Sequence, residues 1–165
     1  MRDEEFERLY EEHAEALLAF LAYRTGDRVL AEDLLADTFE RVLRSRRRFD
    51  PRRGSHKTWI YSIALNRTRD VMRSRQAEAR ARERLESDAG RQGAGGNDAR
   101  LEALEHRDEL ISALTQLSEE EREAIALRFG ADLTVPEIAR LNGERLSTAE
   151  GRVYRGLRKL RDLLE

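Results

Sequence analysis

Between Glu4 and Tyr23 the apolar positions Phe6, Leu9, Tyr10, His13, Leu17, Phe20 and Leu21 recur at helical spacing, and Gly26-Asp27 interrupts them. The spacing predicts an amphipathic helix. A second helix from about Leu30 to Arg46 would bury Leu34, Leu35, Thr38, Phe39 and Val42 and turn Asp33, Asp37 and Glu40 outward. The turn-forming Phe49-Asp50-Pro51 and Gly54 follow it. A third helix starts near Ser55 or His56 and runs past Arg75, at least about 30 Å at 1.5 Å per residue. Ile60, Ala64 and Val71 form its packing face.

Ser87 to Ala99 holds four of the chain's ten glycines and no large apolar residue, which reads as a flexible linker. Leu101, Leu104, Leu110, Ile111 and Leu114 then resume a helical pattern. Three capping boxes follow, Ser118 with Glu121, Thr134 with Glu137 and Ser147 with Glu150, each marking a helix start. They divide the second half into helices near 101–116, 119–129, 135–142 and 148–164. No segment alternates as a strand does. The expected fold class is all-α: a helical bundle over 1–86, a flexible linker over 87–99, and a helical domain over 100–165 that ends in a helix-turn-helix.

Composition removes several classes of protein. No apolar run approaches the roughly 20 residues of a membrane span, and the acidic Asp3–Glu5 stand where a secretory signal would be basic, so a cytoplasmic protein without membrane insertion is expected. With no cysteine there is no disulfide framework, thiolate metal site or cysteine nucleophile, and His13, His56 and His106 are too scattered for a ligand cluster. No phosphate-cradling glycine loop or acid/base pair is evident, so neither a cofactor nor a catalytic step is expected. Nor does a long extension follow Glu165, so no added sensory domain is expected.

The net charge of −2 hides a division. Residues 1–42 carry −7, 43–82 carry +10, 83–124 carry −7 and 125–165 carry +2. The +10 block is a local footprint for a polyanion that distant acidic residues do not cancel, because salt screens beyond about 8–10 Å. Nearly all of it is arginine, whose fork matches phosphate and guanine. Within it, Trp59, Ser62, Asn66, Arg69 and Arg73 make one helical stripe. Arg44, Arg46, Arg47, Arg48, Arg52, Arg53 and Lys57 lie just upstream, interleaved with Phe49 and Tyr61. Charge that tracks a backbone beside rings that stack on bases suits unpaired nucleic acid, whereas Tyr61 fits a core position better.

In the helix-turn-helix, Ile138 and Ala139 pack the first helix and Asn142-Gly143 makes the turn. Ala149, Val153, Gly156, Leu157, Leu160 and Leu163 mark the inner side of the second, and Thr148, Gly151, Arg152, Arg155 and Lys159 cluster opposite. A helix small and polar at its start and cationic along its length fits a DNA major groove. An ordinary helical hairpin with a solvated basic face is the competing reading.

The chain resembles the bacterial sigma factors of the extracytoplasmic-function (ECF) type. Ala31-Glu32-Asp33-Leu34-Leu35-Ala36-Asp37-Thr38-Phe39-Glu40-Arg41 is similar to the family's D-A-E-D-L-V-Q-E-T-F segment. Trp59-Ile60-Tyr61-Ser62-Ile63-Ala64-Leu65-Asn66, with Asp70 and Arg73, resembles W-L-Y-R-I-A-R-N and its trailing D-x-L-R. Leu114–Arg128 and Ile138–Leu164 resemble the fourth sigma region. The resemblance implies contact with core RNA polymerase, at its largest-subunit clamp helices and its flap, through Asp33, Asp37, Phe39, Glu40 and Arg41. It implies capture of the melted −10 promoter element by Arg52, Arg53, Lys57, Trp59, Ser62, Asn66, Arg69 and Arg73. The −35 element would be read by Ser147, Thr148, Glu150, Gly151, Arg152, Arg155 and Lys159. Many such proteins are held by an anti-sigma factor, though no residue here identifies one.

Four positions depart from the family pattern. Leu30 and Ala36 remove polar side chains from the clamp-binding segment, and Glu144 replaces an apolar turn residue. Glu150 replaces a common lysine, either as the capping partner of Ser147, the preferred reading, or as an acceptor from a cytosine amino group. Two other functions remain open on the residues alone. A free-standing helix-turn-helix regulator would bind a palindromic duplex without polymerase, and a helical adaptor would show no DNA affinity.

Overall fold

A computed structural model describes residues 2–86 and 105–165. The 87–99 linker, Leu101 and Leu104 lie outside the described residues. Among these there are seven α-helices and no strand: α1 (Asp3–Thr25), α2 (Arg28–Arg44), α3 (His56–Glu86), α4 (Glu105–Thr115), α5 (Glu119–Ile125), α6 (Val135–Asn142) and α7 (Leu146–Leu164).

Local chemistry sets the boundaries. α1 ends at Gly26, whose φ of 70° places it in the left-handed region, and Asp27 begins α2 by accepting from the Leu30 amide at 3.1 Å. Ser55 opens α3 by accepting from the Thr58 amide at 3.2 Å. The capping boxes at Ser118 and Thr134 both form, each hydroxyl accepting from the third helical amide while Glu121 or Glu137 reaches back.

The third expected box does not form. α7 starts two residues early, with Arg145 as its N-cap and no side-chain cap, because the Thr148 and Ala149 amides turn back onto the Arg145 carbonyl. Ser147 therefore lies inside the first turn, and its amide is not the N-cap amide from which Glu150 would accept.

The helix expected over 119–129 also divides. Beyond Ile125 the chain widens into a π-turn, Ala126–Gly130, closed by the Ala131 amide onto the Ala126 carbonyl at 3.0 Å. Gly130 lies hard against α1 there: a β-carbon on it would come within 2.9 Å of the Phe20 Cα.

Leu17, Phe20, Leu21, Ala31, Val42, Ile60, Tyr61, Ala64 and Leu65 fill the space between α1, α2 and α3. Leu114, Ala126, Leu127, Ile138 and Ala149 do the same among the later helices. The two groups join in one buried cluster, because α1 packs on the π-turn, α4 and α5.

Candidate nucleic-acid interface

Asp33, Glu40 and Arg41 are exposed along α2, with Glu40 pairing to Arg44 one turn on. Asp37 is half-buried at the edge of the bundle, accepting from Arg67 Nε on α3 at 2.6 Å and from Arg41 Nε at 3.3 Å. It ties α2 to α3. Phe39 is only 3% exposed, edge-on to Phe6 and Tyr10 with ring centroids at 6.2 and 4.8 Å. Its ring supports this face from the core. Leu30 packs partly buried against the core and Ala36 is exposed.

The α3 stripe survives with internal differences. Phe49 stacks on His56 with centroids 4.1 Å apart and lies 5.1 Å from Trp59, forming an aromatic shelf at the start of the helix. Arg52 and Arg53 project from the loop in front of it, and Asn66 is exposed further along. Ser62 donates to the Trp59 carbonyl at 2.7 Å. Arg73 is exposed beside Asp70, and Lys57 lies 3.9 Å from Glu137 of α6. Tyr61 is fully buried, as expected of a core residue, with its hydroxyl unpaired; burial pushes its pKa up.

Arg69 is already engaged. It donates to Glu123 of α5 from Nε at 3.1 Å and from Nη2 at 2.8 Å, and Nη2 also donates to Asn142 Oδ1 at 2.8 Å. The Glu123 hydrogen bonds hold the Arg69 guanidinium all the more firmly protonated, against a smaller opposing effect of burial.

Arg24, 4% exposed, lies between Glu119 at 2.6 Å and Glu123 at 3.6 Å, and Arg122 donates to the Tyr23 carbonyl at 3.0 Å. Sequence reasoning missed both arginines. An arginine at a helix end, as Arg24 is, or in an acidic run, as Arg122 is, reads as solvated until the fold shows two elements meeting over it.

The helix-turn-helix forms around Gly143, whose φ is 62°. Ala149, Val153, Gly156 and Leu160 are the buried positions of α7, so the side opposite them is centred on Ser147, Gly151, Tyr154 and Arg158, with Arg155 adjoining. Tyr154 is 66% exposed, and Arg155 lays its guanidinium over Gly151, where a β-carbon would meet Nη1 at 2.9 Å. Arg145, Arg155 and Arg158 have no carboxylate partner among the described residues.

Thr148, Arg152 and Lys159 lie on one flank of that face and Glu150 on the other. Lys159 pairs with Glu121 at 2.7 Å, and Arg152 is held by Glu144 and lies 3.8 Å from Glu120. Tyr154 and Arg158 were missed although their signal was present. Centring the helical wheel on the buried small residues, not on the arginines, finds them.

The family Sigma-70 region 2 matches residues 9–78, and Sigma-70, region 4 matches residues 107–160. The chain is 37% identical over 160 residues to RNA polymerase sigma factor CarQ of Myxococcus xanthus, spanning 96% of this chain and 88% of that one. It is 32% identical over 171 residues to ECF RNA polymerase sigma factor SigX of Bacillus subtilis, spanning 98% and 86%.

Among solved structures, CnrH in complex with the cytosolic domain of CnrY superposes with a TM-score of 0.73 at 26% identity, covering 99% of this chain and 89% of that one. The sigma factor RpoE, solved with the anti-sigma factor NepR from Bartonella quintana, shares the fold with a TM-score of 0.67 at 24% identity, covering 97% and 96%. The chain belongs to the ECF sigma factors. As a member it directs promoter-specific initiation by core RNA polymerase, and sigma factors are in general non-enzymatic DNA-binding initiation factors. No helix among the described residues is long and apolar enough to cross a membrane.

Proposed function

We propose that this ECF sigma factor divides its work as its surface charge is divided. The exposed Asp33, Glu40 and Arg41 of α2 meet the clamp helices of the polymerase's largest subunit. The Arg52–Arg53 loop, Lys57, Trp59, Ser62, Asn66 and Arg73 hold the unpaired −10 strand, and Arg69 joins them once released from Glu123 and Asn142. The outer face of α7, with Ser147, Thr148, Gly151 and Arg155, reads the −35 element in the duplex, and the later helices reach the flap. Residues 1–86 and 100–165 act as the two working units, and residues 87–99 as the tether that lets them reach separate sites.

The observation that carries the −10 assignment is the Phe49–His56–Trp59 shelf beside exposed arginines and Asn66 on one side of α3. Unstacking a base costs a few kcal/mol, and stacking on such rings at about 1–3 kcal/mol per base offsets it. The protein works in the cytoplasm, where core polymerase is found. A regulatory protein that covers these faces fits the same reading, since CnrH is bound by the cytosolic domain of CnrY.

The test is run-off transcription by core polymerase from the protein's source, with and without the chain, on genomic promoter fragments. New discrete transcripts sharing two upstream elements are expected. Asp33→Arg, which disturbs no ion pair among the described residues, should abolish holoenzyme assembly. Duplex binding by the free chain, with core polymerase neither binding it nor changing start sites, would replace this reading with that of a regulator.

A further inference from the structure

Glu144 stands in the helix-turn-helix turn, 13% exposed, where it accepts from Arg152 Nη1 and, at 3.4 Å, from Asn142 Nδ2. The other terminal nitrogen of Arg152 faces Glu120 at 3.8 Å. Both ends of that guanidinium are thus turned toward carboxylates on the protein, and its side chain is only 26% exposed. Arg155, one turn along the same helix, is exposed and has no carboxylate partner among the described residues.

We propose that Glu144 is a specificity-determining residue that withholds Arg152 from promoter DNA, leaving Arg155, Tyr154 and Arg158 to read the duplex. The proposal rests on the reading of α7 as the −35 helix. Its physical basis is competition for one guanidinium. Arg152 cannot give the same N–H groups to Glu144 and to a phosphate or a guanine edge, and a largely buried carboxylate in fixed geometry costs no ordering when it binds. A carboxylate in the turn also repels the phosphate backbone, so the two effects must be separated experimentally.

The test uses holoenzyme reconstituted from core polymerase and the full chain, bound to a promoter library randomised in the upstream element and titrated with salt. The variants are Glu144→Gln, Arg152→Ala, the double variant and Arg155→Ala. Glu144→Gln keeps an acceptor for Asn142, and Glu144→Val is carried alongside as a second variant in case the first melts early.

With Arg152 released, binding tightens about fivefold or more, the preferred sequence changes at the bases Arg152 reaches, and the salt slope steepens by about 0.9. In the Arg152→Ala background the same change at Glu144 does nothing, a dependence that a merely structural role would not produce. A gain of equal size without Arg152 overturns the proposal, because repulsion alone then explains it. So does the absence of any gain. If Arg155→Ala leaves the upstream preference untouched, the −35 reading of α7 fails instead.

Discussion

Glu123 is one of the carboxylates through which the two helical groups exchange charge, and replacing it with glutamine tests how the promoter-facing side of α3 is held. Its carboxylate, 13% exposed, takes two hydrogen bonds from Arg69 and lies 3.6 Å from the buried Arg24. Charge-assisted hydrogen bonds contribute about 1.5–3 kcal/mol each and neutral ones about 0.5–1.5. Glutamine keeps one acceptor oxygen, and Arg69 is 37% exposed, so solvent screening places the loss at the low end. Arg24 retains Glu119. The net expectation is about 2 kcal/mol, a shift of roughly thirtyfold toward separation of the groups.

The cysteine-free sequence makes the assay direct. Fluorophores on Glu11→Cys and Asp162→Cys, both exposed and in opposite groups, report proximity as salt is raised. Glu123→Gln should separate the labels at lower salt than the parent. The variant should also bind a single-stranded oligonucleotide more tightly, and the gain should vanish with Arg69→Ala. Identical salt profiles for parent and variant would refute the reasoning, since the Glu123 contacts would then contribute nothing to holding the groups together.

Gly130→Ala should destabilise the chain by about 1–3 kcal/mol in urea unfolding, because its β-carbon would enter the space of the Phe20 backbone and Tyr23 ring. Tyr61→Phe should be neutral or stabilising within about 1 kcal/mol by the same measurement, since it removes a buried hydroxyl that has no partner. Acid should act in two stages. Burial lowers the His13 pKa from 6.5, so the unfolded chain binds the proton more readily and stability falls as pH drops below that value; His13→Gln should remove this stage. The Lys159 and Ser118 hydrogen bonds lower Glu121, and the Thr134 bonds lower Glu137, from 4.5, so their contribution is intact above that pH and is lost below it. Thermal melts across pH 3–8, about the range of these transitions, separate the two.

The sequence by itself determined the all-α class, the order of the helices, and two of the three caps expected at Ser118, Thr134 and Ser147. These follow from periodicity and from side chains acting on amides three residues away, interactions that need no tertiary partner. It also carried the family resemblance and the α3 stripe. Local chemistry was insufficient at Ser147, because backbone bonds to Arg145 started the helix two residues early.

Tertiary structure alone decided which cations remain available. Arg24, Arg69 and Arg152 look alike in the sequence. The fold buries the first, engages the second with Glu123 and Asn142, and turns the third toward Glu144, while Arg155 stays exposed. It likewise buried Phe39 and exposed Tyr154, because a ring's role depends on which face its helix presents to the core.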